Sequence, residues 1–71
     1  MDKPLAEIIH RNWRQLASLA RACWDELTLD ELIRTQGDVQ QLTDLVQRRY
    51  DMPREDAQKQ VVSFFERHRN L

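Results

Sequence analysis

A single cysteine, Cys23, leaves this chain without a partner for an internal disulfide and without the thiolate set of a cysteine-based zinc site. It fits a reducing compartment. Glycine occurs once and proline twice, so there is no glycine-rich loop to cradle a phosphate and no linker-like segment. His10 and His68 are the only histidines, and no set of three or four converging ligands accompanies them, as a zinc site would need. No cofactor is expected. Neither sign of charge dominates: the formal net charge is −1 and the isoelectric point near 6.1. That balance suits a soluble surface and gives no long-range pull toward nucleic acid or an anionic membrane. No apolar run approaches the roughly 20 residues that cross a bilayer. Asp2, Pro4 and Glu7 interrupt what would have to be the basic start and apolar run of a signal peptide. The expectation is a cytoplasmic protein with no membrane partner.

What is present is helix punctuation. The 71 residues read as one domain, residues 1–71, with 32% of them charged. A chain this short buries only about 60% of its unfolded surface, so its core is thin. Pro4 can stand in a first helical turn, where its missing N–H costs nothing. From there Leu5, Ile9, Trp13, Leu16, Ala20, Cys23 and Leu27 recur at helical spacing, joined on one broad arc by Ile8, Ala17, Leu19 and Trp24. The spacing predicts a first helix from about Pro4 to about Asp25. Thr28 followed by Glu31 is a capping-box pair, with Leu27 and Leu32 placed as a hydrophobic staple. The second helix they open ends at Gly37, the residue best able to take a positive φ. Asp38 followed by Gln41 repeats the signal and opens a third helix, striped by Val39, Leu42, Leu45, Val46 and Tyr50.

Asp51-Met52-Pro53 breaks the chain again. Glu55 and Asp56 favour the positive end of a new helix dipole, and Arg67-His68-Arg69 suit its negative end. Ala57, Val61, Phe64, Phe65 and His68 mark the inner side of this fourth helix. No apolar–polar alternation persists, so no strand is predicted. Four helices with short loops is the reading.

Chemistry is scarce. Cys23 lies on the apolar arc and reads as a buried structural thiol. Ser18, Ser63 and the threonines lack any nucleophile-elbow context, so no catalytic residue is expected and the chain does not read as an enzyme. Trp13 and Trp24 stand about three helical turns apart and project from nearly the same face. They read as core anchors rather than as the walls of an aromatic groove, because each can bury some 150–250 Å². His10, Arg11, Arg14 and Arg21 share about a third of the helix circumference, with Asp25 in the same sector. A larger basic patch would form if Arg48-Arg49 and Arg67-His68-Arg69 came to join them. A domain that binds nucleic acid normally has a pI above about 9, so a solvated face is the first reading of this candidate surface.

The stretch from Trp24 to Val61 resembles the CsbD-like family of small bacterial general stress-response proteins. The residues that carry the resemblance are Trp13, Trp24, Leu27, Thr28, Asp30, Glu31, Leu32, Gly37, Asp38, Leu42, Gln47, Arg49, Tyr50, Ala57, Gln60 and Val61, in the family's order and spacing. The match covers about residues 12–65, with residues 1–11 an N-terminal extension. Asp25, Asp44 and Asp51 stand where the family commonly has glycine, and Asp25 and Asp51 fall at helix ends, where a left-handed residue is expected. The resemblance implies an open four-helix bundle of two helical hairpins packed at a steep angle, similar to sterile-alpha-motif-like folds. It also implies a non-enzymatic protein made abundantly under stress, with no catalytic residues.

On this reading Trp13, Trp24, Leu27, Leu42, Tyr50 and Phe64 are structural core, and the protein acts by binding or by abundance. The alternative is a small nucleic-acid-binding module using the basic face of helix one. An unidentified protein partner is compatible with the sequence, as is a monomer or a weak oligomer, and nucleic acid is expected to bind weakly if at all.

Overall fold

Asn12 divides the first helical stretch in two. The computed structural model describes residues 9–69, in which a helical turn at 9–11 gives way at Asn12 (φ −104°, ψ 15°) to helix α1, Trp13–Cys23. The expected continuous helix from Pro4 is therefore corrected: periodicity persists through Asn12, but the backbone dihedrals do not. Leu5 and Ile8 lie outside the described residues. Trp13, Leu16, Ala17 and Ala20 form the buried stripe of α1, at the i, i+3, i+4, i+7 spacing of one helical face.

The cap signals resolve as hydrogen bonds. Helix α2, Leu29–Arg34, opens with a complete capping box: the Glu31 N–H donates to Thr28 Oγ1 at 3.1 Å, and Glu31 Oε1 accepts from the Thr28 N–H at 3.1 Å. Helix α3, Val39–Tyr50, opens with Asp38, whose carboxylate accepts from the Gln41 N–H at 3.0 Å. Between them Gln36 (φ 55°) and Gly37 (φ 75°) are both left-handed. Gly37 has a second constraint: a Cβ there would sit 3.1 Å from Ile9 Cγ2 and 3.3 Å from Trp13 Cε3. Glycine thus both turns the chain and lets it close on Trp13.

Asp51 ends α3 in the left-handed region (φ 51°), and the Met52 N–H donates to the Gln47 carbonyl at 3.2 Å, the six-to-one bond of a Schellman ending. Asp25 is not left-handed, contrary to expectation: Gln36 and Asp51 are the non-glycine residues with positive φ among those described. Helix α4, Arg54–Arg67, follows Pro53 and buries Ala57, Val61, Phe64 and Phe65.

Helices α1 and α2 pack as one hairpin and α3 and α4 as another, with every described helix facing a common core. The result is an all-helical bundle of about 39 × 23 × 17 Å. Leu27, Leu32, Leu42 and Val46 complete the core, with Val39, Leu45, Tyr50 and Met52 packed at its margin.

Candidate functional site

The five-residue turn between α1 and α2 is where the two hairpins meet, and polar side chains from α3 and α4 hold it. Arg49, in the last turn of α3, donates through Nη1 to the Glu26 carbonyl at 2.6 Å and through Nη2 to the Glu31 carboxylate. Its neighbour Tyr50 accepts from the Glu26 N–H at 3.1 Å through its hydroxyl. The guanidinium is a rigid fork of donors, so one side chain can fix a backbone carbonyl and a carboxylate together. Glu31 is held below the usual carboxylate range, first by the Thr28 backbone N–H and then by Arg49.

Both tryptophans are inside, each 4% exposed. Trp13 donates its indole N–H to the Leu32 carbonyl at 2.6 Å and meets Phe65 edge-on, ring centroids 6.1 Å apart. Trp24 donates to Gln60 Oε1 at 3.0 Å, and its ring lies 5.3 Å from that of Phe64. Buried indoles need a partner for the N–H, and each finds it on a different helix. Trp13 ties α1 to α2, and Trp24 ties the first hairpin to the second. The spacing of Trp13 and Trp24 therefore leads into the core, and no aromatic groove is open to solvent between them. Leu27, Leu42 and Phe64 are also fully buried, whereas Tyr50 is half-buried with its hydroxyl on the turn.

The second hairpin has its own clasp. Arg54, at the start of α4, reaches back to the Asp44 carboxylate and to Gln40 Oε1 at 2.7 Å, both on α3. Asp44, one of the departures from the family's glycines, thus gains a cationic partner that a glycine could not engage.

Cys23 is exposed, which corrects its expected burial. It sits on the edge of the apolar arc, and α4 passes beside it at Arg67, whose Nη2 lies 3.9 Å from the sulfur, rather than over it. Leu19, on the same edge, is 40% exposed. A shallow groove of about 490 Å³ runs here, lined by Cys23, Trp24, Lys59, Gln60, Ser63 and Arg67. The Arg67 guanidinium beside the thiol is a cation and carries no acceptor. Among the described residues no three His, Cys, Asp or Glu side chains gather as metal ligands, and no helix is long and apolar enough to cross a membrane.

His10, Arg11, Arg14 and Arg21 all lie on the surface. His10 Nδ1 is 2.8 Å from the Gln36 carbonyl, a contact that ties the turn before α1 to the loop after α2. Of the cations that could extend this surface, Arg67 reaches the end of α1 at Cys23, while others are engaged locally. Arg49 is engaged with Glu26 and Glu31, Arg69 pairs with Glu66 at 3.3 Å, and His68 Nδ1 meets the Phe64 carbonyl at 2.9 Å. The sequence carried no local signal for the Arg49 and Gln60 contacts, which join residues distant along the chain. What marked those positions was their place in the family pattern.

Comparison with known proteins agrees with that pattern. The chain is 45% identical over 62 residues to a UPF0337 protein of Bordetella pertussis, covering 87% of this chain and 94% of that one. It is 36% identical over 59 residues to a UPF0337 protein of Xanthomonas axonopodis pv. citri, covering 83% and 86%. The UPF0337 protein YjbJ of Escherichia coli is 33% identical over 57 residues, covering 80% and 83%. No family model and no solved structure matches. With this identity sustained over nearly the full length of its bacterial relatives, the chain belongs to the UPF0337 family, known as CsbD-like.

Proposed function

We propose that this protein is a non-enzymatic, cytoplasmic general stress-response protein that acts by binding or by its abundance. One observation carries the reading. The polar side chains of the family pattern (Arg49, Tyr50, Gln60 and Glu31) bond to the Glu26 backbone, to Trp24 and to one another rather than converging on a shared cleft. A catalytic site needs reactive groups held free and mutually aimed, and here those groups join helices. The stress assignment rests on the family resemblance, and the cytoplasmic one on sequence composition.

Quantitative mass spectrometry of the producing bacterium through stationary phase, osmotic upshift and peroxide exposure tests this reading. The protein should rise several-fold under at least one of these conditions, and a strain lacking it should recover more slowly. A level that stays flat throughout would overturn the stress reading. Turnover of any substrate by the purified protein would overturn the non-enzymatic one.

A further inference from the structure

The arginines of this protein differ in what they meet: Arg48 donates to the Asp44 carbonyl at 3.3 Å and Arg67 lies 3.9 Å from the Cys23 sulfur, neither in an ion pair among the described residues. Arg34, Arg49, Arg54 and Arg69 each pair with a carboxylate. Arg11, Arg14 and Arg21 form no ion pair among the described residues, although all three are exposed. The sequence explains the difference: between Glu7 and Asp25 there is no acidic residue, while acids punctuate the rest of the chain. A protein of net charge −1 thus carries, on and just before α1, cations with no ion pair among the described residues.

We propose that this cationic stretch is a docking surface for the phosphate backbone of nucleic acid, bound weakly and without reading bases. The inference deepens the binding half of the function proposed above by naming the surface and the partner. Arg14 and Arg21 are two turns apart, about 10.5 Å along the axis at 1.5 Å per residue. Arg11 stands just before α1, on the other side of the break at Asn12. Each guanidinium is a planar fork suited to phosphate oxygens. Ser18 lies between Arg14 and Arg21 on the same side and is small, polar and exposed. That stretch therefore lacks the buried aromatic or aliphatic anchor on which folded-protein interfaces depend, and the apolar stripe by which an amphipathic helix enters a bilayer. A repeating line of phosphates needs neither. Asp25 shares a small surface depression with Arg21, Ser18 and Ala22, which sets the end of the strip.

Three phosphate contacts give a defined signature. Each neutralised phosphate adds about −0.9 to the slope of log affinity against log salt, so the slope should be about −2.7. Affinity should then fall about 40-fold between about 50 and 200 mM salt, from a dissociation constant in the range of about 10⁻⁴ to 10⁻⁶ M.

Fluorescence anisotropy of a short mixed-sequence DNA duplex, titrated with the full chain at several salt concentrations, tests the proposal. The triple variant Arg11→Gln, Arg14→Gln, Arg21→Gln should lose at least tenfold in affinity and most of the slope. A control with the same charge change, Arg34→Gln, Arg48→Gln, Arg69→Gln, should keep both within about threefold. Circular dichroism confirms that each variant is folded. No binding at low salt, an equal loss in the control, or polyglutamate binding as tightly as the duplex would each overturn the assignment, the last by pointing to an acidic protein. A flat stress response would leave the salt slope untouched, and failure here would leave stress induction untouched.

Discussion

Gly37 shows how one residue meets two demands together. Its backbone is left-handed, and its missing Cβ leaves room for Ile9 and Trp13. Gly37→Ala should therefore cost about 1–2 kcal/mol from the left-handed backbone alone, with the contacts at 3.1 and 3.3 Å adding to it. A lowered urea midpoint with an unchanged slope would report this. Thr43 presents the opposite case: its Oγ1 is buried on α3 without a hydrogen-bond partner among the described residues. An unsatisfied buried hydroxyl costs about 1–3 kcal/mol, so Thr43→Val should raise stability by about 1 kcal/mol. A variant less stable than wild type would mean that the hydroxyl has a partner. Gly37 was legible because the conformation a helix end requires is a local property. Thr43 was not, because its neighbours come from elsewhere in the chain. Cys23 and Leu19 failed for a related reason: periodicity places them at the edge of an arc, and only the path of α4 decides which edge is covered.

Helix α2 is six residues long and too short to hold itself together, so its ends must be fixed from outside. Thr28 and Glu31 close its first turn, and Arg49 clasps Glu31 from the end of α3. Glu31 titrates below the ordinary carboxylate value because the Thr28 N–H, and then Arg49, favour its charged form. A carboxylate with a depressed folded-state pKa stabilises the fold above its unfolded value, and that contribution disappears as pH falls through the depressed one. Glu31→Gln should therefore flatten the acid limb of the stability profile below about pH 4.3, while leaving the slope between neutral pH and about pH 6 unchanged. Unaltered acid sensitivity would assign that limb to other carboxylates. Both capping pairs were readable in sequence because three-residue spacing is local. The clasp was not, since it joins residues distant along the chain, and neither was the break at Asn12, which leaves the apolar period intact.

The whole molecule is two hairpins joined through Trp24. Its ring rests against Phe64, its N–H bonds to Gln60, and the turn that follows it is gripped by Arg49 and Tyr50. The all-helical architecture was legible because caps and apolar stripes are written into consecutive residues. The pairing of Trp24 with Gln60 emerges only when the hairpins dock, yet both belong to the pattern that carries the family resemblance. That coincidence is the reason to read the pattern as architecture. Urea denaturation of Trp24→Ala decides the matter. The indole is 4% exposed, so its removal should cost about 3–5 kcal/mol, a large share of the roughly 5–15 kcal/mol that typical domains possess. The midpoint should fall steeply, and the variant should be partly unfolded without denaturant if the protein lies near the lower bound. Wild-type stability in Trp24→Ala would place the ring on the surface and return the family pattern to the role of a binding site.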